Sequence, residues 1–167
     1  MSDKAKILEG LQVIVTDLAQ QADGHELQAR IFASQGLTKL AEKYAEHAEE
    51  ERGYVVKCAD RILDLGGSLK LGDKKDAPLF TDAVEYMKYD LQVSKDGLAW
   101  LAGLVEEARS DYATFDILRD YYMDSVSEKQ LVRKAGITRK KSESPSIGVG
   151  GLSFCIVLFD YRVVVYR

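Results

Sequence analysis

Cysteine and proline are scarce in this chain, two of each in 167 residues. Two cysteines cannot staple a small secreted scaffold, and they fit a reducing compartment. So few prolines disfavour a turn-rich sandwich and favour long helices. Histidine is equally rare, with two copies. No run of 18 apolar residues occurs, so no membrane-spanning helix is expected. No apolar stretch of the signal-peptide kind follows the opening Met-Ser-Asp-Lys-Ala-Lys, so a cytoplasmic location is expected. A net charge of −4 argues against a chain built mainly to coat nucleic acid. The remainder is ordinary: 46% hydrophobic and 30% charged, the composition of a folded chain long enough to bury one core.

Apolar residues recur at helical spacing through most of the chain. A first helix is expected from about Lys4 to Ser34, with Ile7, Leu11, Ile14, Leu18, Ala22, Ala29 and Phe32 on one face and His25 among them. After a break at Gln35-Gly36, a second helix runs from Leu37 to about Leu65. Its stripe is Leu37, Leu40, Tyr44, Ala48, Val55, Cys58, Ile62 and Leu65, and it stops at Gly66-Gly67. Residues 68–80 form a long loop, read as a crossover between parallel helices. A third helix begins at a Thr81 or Asp82 cap, with Val84, Met87, Leu91, Leu98, Leu101 and Val105 on its face. A fourth runs from about Asp111 to Lys134 through Phe115, Leu118, Tyr121, Tyr122, Val126 and Leu131. The expectation is an all-α four-helix bundle over residues 1–135, with one long crossover between the second and third helices. Residues 136–167 read differently. A basic step at Arg139-Lys140-Lys141 and a Ser/Pro/Gly linker lead into a strand-like segment, Ser153–Arg167.

Polar side chains interrupt the apolar stripes at His25, Glu51, Tyr54, Ser94 and Tyr121. A buried carboxylate is costly unless it is paired or holds a cation. Di-iron sites in bundles need about four carboxylates and two histidines, arranged as two glutamates and two Glu-x-x-His pairs. Neither histidine here follows a glutamate by three residues; Tyr54 stands at that spacing from Glu51. A full site of that type therefore cannot form. For Glu51, a hydrogen bond to Tyr54, Tyr121 or His25 is favoured over direct metal ligation. Cys58, among apolar neighbours, reads as a small hydrophobe. Glu46, His47, Glu49, Glu50 and Glu51 form an acidic run, usually a solvated helix face. Glu46 and Glu50 are one turn apart, and paired glutamates favour hard cations; on the wall of a closed cavity they would suit mineral nucleation.

Several stretches carry a resemblance. Residues 29–37 (ARIFASQGL), Leu40, Glu49-Glu50-Glu51 and residues 59–67 (ADRILDLGG) are similar to the first two helices of bacterioferritins. The likeness continues through Asp90-Leu91, Asp96-Gly97 and residues 117–120 (ILRD), and spans about Lys4 to Ala135. The 59–67 stretch also resembles the DNA-protecting ferritin relatives (Dps). The resemblance implies a ferritin-like fold, iron storage and a homo-oligomeric cage.

Departures from the family pattern concern its metal ligands. The first-helix ligand position is Leu18, and the second-helix Glu-x-x-His is Glu51-x-x-Tyr54. The third-helix position is Ser94, and the fourth-helix Glu-x-x-His is Tyr121-x-x-Asp124. Glu51 alone matches a family ligand, with Asp124 as a substitute, and Glu46 and Glu50 fall on the family's inner-surface iron positions. The haem-binding Met position is Arg52, so no haem is expected. The join between the third and fourth helices is about six residues shorter than in the family. Val56 and Asp60 stand at the second-helix positions of the Dps intersubunit site, which is not reproduced.

The first expectation is thus an iron-storage cage subunit without its own ferroxidase centre, its iron oxidised slowly or on a catalytic partner subunit. A second is a Dps-like assembly holding DNA through residues 139–141 and Lys4/Lys6, ranked lower because the chain is acidic. A third is a single-metal protein using His25, Glu51 and Asp124, with Glu46, Glu50 and His47 as further candidate ligands. Residues 146–152 (SIGVGGL) are similar to peptides that load ferritin-like cargo into encapsulin shells, although a plain connector is the favoured reading. The apolar residues 154–159 should be covered, which points to an oligomer.

Overall fold

A computed structural model describes residues 3–134, 155–159 and 162–166, with side chains over residues 4–127. It divides into two compact units, Met1–Val126 and Ser127–Arg167. Four helices form: α1 (Asp3–Ser34), α2 (Thr38–Asp64), α3 (Ala83–Glu107) and α4 (Tyr112–Lys134). The bounds of α1, α2 and α4 and the start of α3 lie within two residues of those predicted.

The helix ends follow from local chemistry. Gly36 and Gly66 hold φ of 78° and 71°, backbone that a side chain disfavours. They let Leu37 and Gly67 donate to the carbonyls of Phe32 and Ile62, at 2.9 and 2.8 Å, which closes α1 and α2. Asp82 caps α3 by accepting from the amides of Val84 and Glu85 at 2.8 and 2.9 Å.

Pairings between helices fix their directions. Asp23 meets Arg52 while Phe32 meets Tyr44, so α1 and α2 are antiparallel. Lys6 meets Glu107 while His25 meets Asp90, so α1 and α3 are antiparallel as well. The second and third helices therefore run parallel, as the long loop predicts. Arg61 binds Asp111 and Tyr54 donates to Asp124, which sets α4 antiparallel to α2. The core draws on all four helices: Ile7, Leu11, Ile14 and Leu18; Tyr54, Cys58 and Ile62; Leu101 and Leu104; and Leu118. The predicted α1 stripe is buried throughout. This is an all-α four-helix bundle with one long crossover, as the sequence predicts.

The crossover gains its order from glutamines. Gln12 donates to the Lys70 carbonyl and accepts from the Lys70 amide, at 3.0 and 3.1 Å. Gln20 does the same at Lys75, and Gln28 at Phe80. Each side-chain amide thus acts as one residue of a pairing strand and satisfies backbone that has no sheet of its own.

In the second unit, β1 (Cys155–Phe159) and β2 (Arg162–Tyr166) pair antiparallel, with Val157 opposite Val164. The strand-like reading of the tail agrees with this hairpin. The basic step 139–141 and the linker through Leu152 lie outside the described residues.

Candidate functional site

The buried polar group centres on His25, 4% exposed. Its Nδ1 lies 2.9 Å from Glu51 Oε2 on α2, and its Nε2 lies 3.0 Å from Asp90 Oδ1 on α3. Tyr44 donates its hydroxyl to the other Asp90 oxygen at 3.1 Å. Rings flank His25: Tyr44, His47 and Tyr86 stand with centroids 5.3, 5.8 and 6.4 Å from its own. Of the three partners open to Glu51 in the sequence, the structure selects His25. Asp90, absent from the predicted ligands, lies three residues after Met87 and beside the α3 stripe; that position was the available signal.

Charge follows from this geometry. Burial alone would lower the His25 pKa, but hydrogen bonds to Asp90 and Glu51 outweigh it and raise it to about 10. Burial raises Glu51, partly opposed by His25. His47 goes the other way: burial, then Lys43 and the His25 charge, push it down to about 4. A histidine whose folded pKa exceeds its unfolded value of about 6.5 stabilises fully below that value. Its contribution fades as pH rises toward 10. Unfolding free energy should therefore fall between pH 7 and 9, by at most about 1.4 kcal/mol per pH unit. His25→Gln should flatten this slope in denaturant titrations at the two pH values. An equal slope in wild type and variant would remove His25 as its source.

The other predicted ligands are dispersed. Asp124 accepts from Tyr54, whose ring lies 4.8 Å from that of Tyr121. Glu46 and Glu50 are exposed on α2, and His47 is half-buried. Leu18, 4% exposed, sits in the apolar core and offers no donor. Arg52 donates to Asp23 at 2.9 Å and has no thioether for a haem iron. Lys6, proposed for DNA, pairs with Glu107 at 3.3 Å. Among the described residues, no group of three or more His, Cys, Asp or Glu side chains is placed to hold a metal ion. At the two positions on α2 and α4 where the resemblance implies imidazole and carboxylate ligands, the side chains are the phenols Tyr54 and Tyr121. No described helix is long and apolar enough to cross a membrane.

Residues 10–135 match the ferritin-like domain family. The chain belongs to the ferritin-like family. Among its relatives, the bacterial ferritins of Neisseria meningitidis serogroup B and Neisseria gonorrhoeae are each 29% identical over 121 residues. That alignment covers 71% of this chain and 77% of each relative. The bacterial ferritin of Neisseria meningitidis serogroup A is 28% identical over the same length. The ferritin-like match covers the whole crossover and the His25 group, so the buried polar centre belongs to the family domain itself.

Proposed function

We propose that this chain is a subunit of a ferritin-like, homo-oligomeric iron-storage cage in the cytoplasm, without an intact di-iron oxidation centre of its own. The observation that carries this reading is the Tyr54–Asp124 hydrogen bond. The family resemblance puts a histidine ligand at each of these two positions, and here a phenol and a carboxylate satisfy one another. The relatives named bacterial ferritin support the storage role. Iron is the cargo, and exposed Glu46 and Glu50 supply oxygen donors of the kind ferric iron prefers. Oxidation proceeds slowly on this chain or on a catalytic partner subunit.

Loading the protein with ferrous iron in air, then measuring particle mass and iron per particle, tests this reading. The expected product is an iron-bearing assembly many times the 18.6 kDa chain. Glu51→Ala should alter the oxidation rate by less than about twofold, well under 1 kcal/mol of barrier. A stable monomer would sink the cage, and a fall of about tenfold or more would reveal a working centre at Glu51.

A further inference from the structure

The His25 group has a shape that the storage reading does not use. Two carboxylates from different helices approach a common centre, the arrangement with which bundles grip a metal ion. Left alone, such a pair repels and pays for desolvation. Here an imidazole stands between them, with one ring nitrogen on each carboxylate. Tyr44 completes Asp90 from the side. We propose that His25 does the work of a bridging metal ion: it ties α1 to Glu51 of α2 and Asp90 of α3, and by filling that place it closes the centre to metal.

Geometry gives the closure its physical basis. Histidine ligates a metal through a ring nitrogen that carries no proton and has no other partner. Both nitrogens of His25 are engaged, at 2.9 and 3.0 Å. Two protons fill the two contacts, whether each rests on nitrogen or on oxygen. A cation ligating either nitrogen would have to displace both the proton and the carboxylate at that contact, inside a site where His25 is 4% exposed. The rings of Tyr44, His47 and Tyr86 stand against it. The inference deepens the storage reading and rests on it in one respect, the absence of a di-iron pair. Cage assembly and mineral loading can fail without touching it.

Two measurements on the full chain test the proposal. The first compares the denaturation temperatures of wild type and His25→Ala, with and without free imidazole. His25→Ala should melt at least about 5 °C lower, and millimolar imidazole should restore at least half of that loss by re-entering the gap. Imidazole should leave wild type unmoved. An unchanged melting temperature in the variant, or a loss that imidazole does not restore, overturns the bridging role. The second measurement needs no variant that folds poorly. With ¹⁵N-labelled wild type, Zn²⁺ should leave the His25 ring nitrogen signals in place, even where it binds elsewhere on the chain. A Zn²⁺-dependent shift of either ring nitrogen that Glu51→Gln abolishes would show the centre open to metal, and the proposal would fall.

Discussion

Asp90→Leu is expected to cost about 3 kcal/mol of folding stability, the range for breaking one partner out of a buried ion pair. The leucine would remove an acceptor that two groups share: the Nε2 side of His25, now 3.0 Å from Asp90, and the hydroxyl of Tyr44 at 3.1 Å. It would also remove one of the two carboxyl groups that hold the ring. Asp90→Asn should cost much less, because the amide oxygen still accepts from one donor. Denaturant unfolding at pH 7 separates the two variants. A cycle with Tyr44→Phe sharpens the test: both changes remove the Tyr44–Asp90 bond, so their costs should fall short of additive. A loss below about 1 kcal/mol in Asp90→Leu would mean that the carboxylate does not hold His25.

Phe32→Ala should be comparably damaging, at about 3–5 kcal/mol, the usual cost of emptying a buried aromatic site. Phe32 is fully buried and packs against Tyr44 and Tyr86, with centroids 5.6 and 5.8 Å away. Those two rings also wall the His25 group. A cavity there would loosen the cover over the polar centre as well as forfeit apolar burial. Trp100→Ala makes the comparison informative: Trp100 is a larger ring but 43% exposed. Its loss should stay within about 1 kcal/mol. If the two variants proved equal, burial would not be what sets the cost.

Helix positions were legible because burial on one face imposes its own period on the sequence. Ile7, Leu11, Ile14 and Leu18 could be placed in the core from spacing alone. So could the stop at Gly66-Gly67 and the cap at Asp82, which depend on neighbours two to five residues away. The polar centre was half legible. His25 and Glu51 stood out because they interrupt apolar stripes, yet nothing local says which of three groups Glu51 joins. Asp90 escaped because its partner lies 65 residues away and its own position borders the stripe rather than lying in it. Tyr44 read as a hydrophobe, which its ring is; only its hydroxyl belongs to the site. Asp124 could be read as a metal ligand in sequence, since the phenol that takes it up is brought near only by the antiparallel packing of α2 and α4. The glutamines of α1 gave no signal at all, because an amide facing a loop backbone resembles any surface polar residue.

Those glutamines change how the crossover can come apart. Gln12, Gln20 and Gln28 recur every eight residues on α1, while the residues they grip recur every five in the loop. The links are discrete, and loop backbone runs between them without that support. Opening can therefore proceed one rivet at a time, leaving the α1–α2 hairpin intact while a stretch of loop lifts away. A protease or an added residue between two rivets would meet a strap with separable fastenings rather than a single cooperative edge.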